Sequence, residues 1–266
     1  MHTAPAAFRS IRNAGLTLRF AVLGPVAYVL AEVPAAGSRG TALEEACERP
    51  HWGFVVDGTV ALEGPDRQWS IPAGSAFHVP PNLRHAFRTT GAARIAGFAA
   101  LDRNQDFTDE GLAAAGYDVV SGRAGAQPRA VVPRVGSGQP PAQRGEVATH
   151  ATLMGDVVMC QTRFGPRSGF TSRFCDLEHW GLVTAGSMAI ESEEDVEVVT
   201  AGDVFYCPPG PPGHRFTAAD AAASIDFTPV AAFERGGRVV PWRAEVAASL
   251  EGRRRRRPAV EIAALR

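Results

Sequence analysis

The sequence predicts an all-β chain built as two similar halves in tandem. Three observations carry that prediction: two motifs that recur in the same order, runs of β-branched and aromatic residues in each half, and little helical periodicity. Size and composition permit it, since 266 residues are enough for two ordinary domains and 45% of them are hydrophobic.

The repeat is direct. CERPHWGFVVDGTV, starting at Cys47, lies beside CDLEHWGLVTAGSM, starting at Cys175. Each reads Cys, three residues, His-Trp-Gly, an apolar residue, Val, two residues and Gly. A second pair follows, AGSAFHVPPNLRHAF from Ala73 and AGDVFYCPPGPPGHRF from Ala201. The interval between His51 and His179 differs by a single residue from that between His85 and His214, so the chain is an internal duplication.

The elements follow in order. Residues 20–33 and residues 157–164 are rich in β-branched and aromatic side chains and read as strands. Gly58 and Gly186 stand where a strand ends and a turn is wanted. Pro80-Pro81 and Pro208-Pro209 cannot sit inside a ladder and mark strand ends. Residues 191–197 (ESEEDVE) read as a solvated hairpin tip. A helix is expected over residues 242–250, followed by a basic tail at 253–257. The expected organisation is a first domain over 15–120, a linker rich in Gly and Pro over 121–145, a second domain over 146–235, and a helix with basic tail over 236–266.

Charge and composition exclude several classes. A net charge of −1 argues against nucleic acid or a membrane surface as partner. No lysine is present, so no Schiff-base chemistry is available. The first ten residues do not form a secretory signal, and the apolar run 20–33 is interrupted by Gly24, Pro25 and Glu32. Four cysteines in a chain of this size are no disulfide framework, so a cytoplasmic location is expected. P-loop, dinucleotide, nucleophile-elbow and zinc-finger spacings are all missing.

These motifs resemble those of the cupin superfamily, which read roughly G-x5-H-x-H-x3/4-E-x6-G and G-x5-P-x-G-x2-H-x3-N. The resemblance covers about residues 15–100 and 150–230. In the second motif Gly74, Pro80, Asn82 (in a glycine slot) and His85 match, as do Gly202, Pro208, Gly210 and His214 with one extra residue before the histidine. The first motif departs from the pattern. His51 and His179 hold the glutamate slot, Cys47 and Cys175 the second histidine slot, and Glu45 and Arg173 the first. The resemblance implies two jelly-roll barrels, a bicupin, with a divalent metal in each mouth.

The chemistry of the residues is compatible with that implication. Alternation along a strand would place Glu45, Cys47 and His51 on one face, with His85 arriving from the second motif. Cys175, His179 and His214 form the matching set in the other half. Thiolate and imidazole favour zinc over iron, while two histidines and a carboxylate alone would suit iron(II). Glu45 is a candidate for proton transfer, and Arg173 for neutralising a substrate carboxylate or phosphate. The competing reading is that the cysteines pack as small hydrophobes and the barrels hold no metal. Trp52, Trp180, His78, Cys160 and Cys207 are expected to pack. The expected function is a metal-dependent, non-redox isomerase, cyclase or lyase acting on a small molecule. An iron(II) dioxygenase and a non-catalytic binding barrel are the alternatives, and a homodimer is the expected assembly.

Overall fold

The structure, a computed structural model, describes residues 9–13, 16–23, 26–34, 46–47, 50–100, 118–120, 146–170, 174–192, 195–211, 213–235 and 261–264. The chain separates into two compact units, one of Ala6–Gly125 with Arg257–Arg266 and one of Ala126–Arg256 with Met1–Pro5.

The first unit contains β1 (Arg9–Asn13), β2 (Leu16–Leu23), β3 (Val26–Val33), β4 (Ala46–Cys47), β5 (His51–Asp57), β6 (Thr59–Glu63), β7 (Gln68–Pro72), β8 (Ser75–Val79), β9 (Leu83–Arg84), β10 (Ala86–Thr89), β11 (Ala93–Ala100) and β12 (Asp118–Val120). The second contains β13 (Val147–Met154), β14 (Val157–Phe164), β15 (Ser168–Gly169), β16 (His179–Ala185), β17 (Ser187–Ser192), β18 (Val196–Thr200), β19 (Val204–Cys207), β20 (His214–Ala218), β21 (Ala222–Pro229) and the short helix α1 (Val230–Arg235). The last strand, β22 (Glu261–Ala264), returns to the first unit and pairs with β8, Ile262 opposite Phe77.

Each unit encloses its core between two sheets. In the first, the order β12-β1-β2-β3-β11-β5-β8-β22 faces β10-β6-β7. The alternation of TVALE turns Val60 and Leu62 inward from the small sheet, where they meet Val33, Val55, Phe77, Val79 and Ile95 from the large one. In the second, β13-β14-β21-β16-β19 faces β15-β20-β17-β18, with Val183, Phe205 and Ala222 packed on Met188, Ile190 and Phe216. Burial of this kind stabilises by about 1.5–3 kcal/mol for each large apolar side chain.

The duplication extends to backbone detail. The ladder between β5 and β11 slips between Arg94 and Ile95, skipping Val56, and the ladder between β16 and β21 slips at the matching place, skipping Thr184. Gly58 and Gly186 adopt φ of 77° and 67°, and a Cβ at either would strike a carbonyl oxygen, of Ala92 or Ala221. Both are tied to the second motif: Ala73 N donates to Gly58 O and Ala201 N to Gly186 O, each at 2.8 Å. Asn82, in the slot held by Gly210 in the other half, also has a left-handed φ, 62° against 89°.

Several expectations are refined. Residues 20–33 divide between β2 and β3, which pair as a hairpin. The prolines at 80–81 and 208–209 follow the ends of β8 and β19 as expected. Glu191 is not a solvated charge: its carboxylate accepts hydrogen bonds from Arg215 Nε at 2.7 Å and Thr217 Oγ1 at 2.5 Å. The expected linker, the helix at 242–250 and the basic tail at 253–257 lie outside the described residues. No helix among the described residues is long and apolar enough to cross a membrane.

Candidate metal centre

In the second unit, β16 opens with His-Trp-Gly, and strand alternation gives each residue its job. His179, Gly181 and Val183 face the barrel interior, while Trp180 turns outward and stacks on Phe227, ring centroids 6.5 Å apart. Gly181 has no room for a side chain, because its Cβ would lie 2.6 Å from Cζ of Phe205. Gly53 repeats this beneath Phe77, whose Cε1 would be 2.7 Å away. The shared glycine and phenylalanine of the two motifs are therefore one packing unit, made twice.

Cys175 does not belong to β16. It forms an isolated bridge with His214, Cys175 N donating to His214 O at 2.6 Å and His214 N to Cys175 O at 2.8 Å. Gly213 permits that approach, since a Cβ there would lie 2.7 Å from Cβ of Phe174. Cys175 is thus tied to the small sheet and His179 to the large one. They meet across the interior.

The result is a compact donor set. Ligand atoms of Cys175, His179 and His214 all lie within 4.8 Å of one another. Cys175 Sγ is 3.2 Å from His179 Nε2, and the two imidazoles stand nearly perpendicular with centroids 5.0 Å apart. His214 Nε2 is buried without a hydrogen-bond partner. Behind His179, Nδ1 is 3.1 Å from Asp226 Oδ2 and 2.7 Å from Thr228 Oγ1. Asp226 and Thr228 are both buried.

Electrostatics follow from this packing. Burial by itself raises the Cys175 thiol, but the hydrogen bond and charge of His179 more than reverse it, and its pKa falls below the ordinary value. Burial opposes charge on His179, yet Asp226 and Cys175 together raise it well above the usual imidazole range. Burial, reinforced by His179, pushes His214 far down and keeps it neutral. His214 is thus already in the deprotonated form that a divalent metal requires of its ligands, whereas metal binding would displace the proton that His179 shares with Cys175.

The first unit brings part of its set together. His51 and His85 have ring centroids 5.4 Å apart. His85 donates from Nδ1 to Leu83 O at 2.8 Å, and its Nε2 is buried without a partner. Cys47 lies on β4, whose backbone pairs with β9, Cys47 opposite Leu83. Glu45 and Arg173 lie outside the described residues.

Trp52 packs as expected and stacks on His78, centroids 5.9 Å apart, while Tyr206, which stands in the place of His78, donates to Glu178 Oε1 at 2.9 Å. Cys160 and Cys207 are buried. Two residues of this neighbourhood escaped sequence reasoning, Asp226 and Thr228. The signal was available: matching Phe227 to Phe98 sets Asp226 against Gly97 and Thr228 against Ala99.

No protein-family model and no curated protein matches the sequence. Solved structures do match in fold. AerE from Microcystis aeruginosa superposes with a TM-score of 0.55 at 10% identity, over 85% of this chain and 99% of that one. Oxalate decarboxylase from Bacillus subtilis, a protein with Mn(II) centres, gives a TM-score of 0.55 at 13% identity over 83% of this chain and 74% of its own. A cupin 2 conserved barrel domain protein from Leptotrichia buccalis gives 0.51 at 8% identity, over 82% and 90%. The fold is that of the cupin superfamily, in its two-barrel, bicupin form.

Proposed function

We propose that this bicupin is a divalent-metal enzyme acting on a small organic metabolite, with Cys175, His179 and His214 holding the metal. The observation that carries the reading is the buried, unpartnered Nε2 of His214 within 4.8 Å of the donor atoms of Cys175 and His179. A buried polar atom without a partner costs about 1–3 kcal/mol, and coordination removes that cost. One thiolate and two imidazoles favour zinc over iron, and three protein donors are the number that catalytic zinc sites use. Zinc bound there supplies Lewis acidity towards a carbonyl or enol oxygen, without redox chemistry.

The chain's own groups then fall into roles. Cys175, His179 and His214 bind and orient. Arg173 meets a carboxylate or phosphate of the substrate. In the first unit, His51 and His85 with Cys47 form the corresponding donor set, and Glu45 moves a proton. Isomerisation, cyclisation or elimination in the biosynthesis of a small metabolite is the class of reaction that such a set serves.

Elemental analysis of protein purified without added metal tests this, on wild type, His85→Ala and His214→Ala. Wild type is expected to hold zinc, about one equivalent of which His214→Ala loses. Iron with oxygen consumption would favour a dioxygenase instead. Failure to take up metal even on reconstitution would leave a metal-free binding barrel.

A further inference from the structure

We propose that Asp226 and Thr228 are positioning residues that set the metal affinity of the Cys175–His179–His214 centre by holding His179 through Nδ1. This rests on the metal-binding reading given above.

A histidine offers one nitrogen to a metal and carries its proton on the other, and whatever accepts that proton decides which nitrogen is free. At His179 the acceptors are fixed. Nδ1 faces Asp226 Oδ2 at 3.1 Å and Thr228 Oγ1 at 2.7 Å. A carboxylate accepts hydrogen bonds and donates none, so Nδ1 keeps its proton, and Nε2, 3.2 Å from Cys175 Sγ, is the nitrogen left to face a metal. The ring is held from behind before any ligand arrives.

The two acceptors come from one face of β21, two residues apart, directly beside the start of β16. A carboxylate in a barrel interior is costly unless its hydrogen bonds repay the desolvation, and the His179 ring is the partner found for it. The first unit shows that the fold does not demand a carboxylate here. Gly97 and Ala99 occupy the matching places, Ala99 opposite His51. Nor is Gly97 forced by crowding, since a Cβ there would meet nothing nearer than Val29 O at 3.7 Å. The support behind His179 is therefore an addition made in one barrel of the duplication.

The test is zinc affinity by chelator competition, with the cobalt(II) absorption spectrum of the same proteins. Asp226→Asn and Thr228→Val keep side-chain volume and are expected to weaken zinc binding about 10- to 100-fold and to shift the cobalt bands. Thr228→Ser keeps the hydroxyl and is expected to bind as wild type does. Circular dichroism reports folding, and if Asp226→Asn does not fold, the contrast of Thr228→Val with Thr228→Ser decides. Affinities within about twofold of wild type in the folded variants, far below the outer-shell range, would overturn this inference while leaving a His214-dependent metal site standing. Wild-type protein that binds neither zinc nor cobalt would overturn the metal-binding reading, and this inference with it.

Discussion

Cys175 and His214 are locked together through their main chains, by reciprocal hydrogen bonds of 2.6 and 2.8 Å. Two donors from segments far apart in sequence are thus set side by side by atoms that side-chain substitution leaves in place. Cys175→Ser is accordingly expected to keep the fold and lose soft-metal preference. Zinc affinity should fall by more than the ~10-fold of a minor outer-shell change, and the thiolate-to-cobalt band should vanish. Equal zinc affinity in the serine variant would remove the thiolate from the donor set.

The contact of Gly181 with Phe205 makes a packing prediction. Gly181→Ala drives a methyl group into the Phe205 ring and the Ile225 carbonyl and should cost about 1–3 kcal/mol in urea unfolding. Gly97→Ala, with its nearest atom at 3.7 Å, serves as the control and should stay within about 0.5 kcal/mol. Equal costs would mean that the ring does not dictate the glycine.

Asn82 carries a φ of 62° in the slot that Gly210 fills in the other barrel. Asn82→Gly should be near neutral in thermal unfolding. Asn82→Val, which meets the full penalty of the left-handed region, should cost about 1–2 kcal/mol. A neutral valine would show that the turn relaxes.

Three thiols are described, and they should react in order. Burial raises the Cys160 and Cys207 thiols well above their ordinary range, whereas Cys175 lies below it because His179 outweighs its burial. In metal-free protein an alkylating reagent should therefore mark Cys175 first, with peptide mapping as the readout, and zinc should protect it. A lowered pKa keeps thiolate present as pH falls from about 8 to about 7, where an ordinary thiol slows about tenfold. A rate for Cys175 that falls as steeply would contradict the His179 contact.

Acid should release the metal. Cysteine and histidine ligands bind it only when deprotonated, so affinity declines as pH drops and protons compete for the sites. Thermal stability in excess zinc should exceed that of chelator-treated protein by RT ln(1 + [Zn]/Kd), and the difference should shrink on acidification. Identical melting curves with and without zinc at neutral pH would argue against a folded-state site.

Much of the fold was legible because backbone requirements are local. Gly58, Gly186 and Gly210 announce positive φ, Asn82 is the residue that best substitutes there, and the proline pairs stop strands. The donor residues were legible for a different reason: the duplication displays each motif twice. Spacing alone does not say how Cys175 reaches His179, because the two do not share a strand. The bridge to His214 assigns the cysteine to the other sheet.

The sequence by itself determined that the chain is a duplicated, all-β protein with cysteine and histidine at equivalent points of both halves. Those properties are written in residue type and spacing, which folding does not alter. Only the tertiary structure decided that Asp226 and Thr228 stand behind His179, and that β22 runs back to cover the edge of β8. Both depend on strand register between segments remote in sequence. Register is set by which side chains bury together and which open edge needs a partner, not by any local signal in SIDFTP or EIAA.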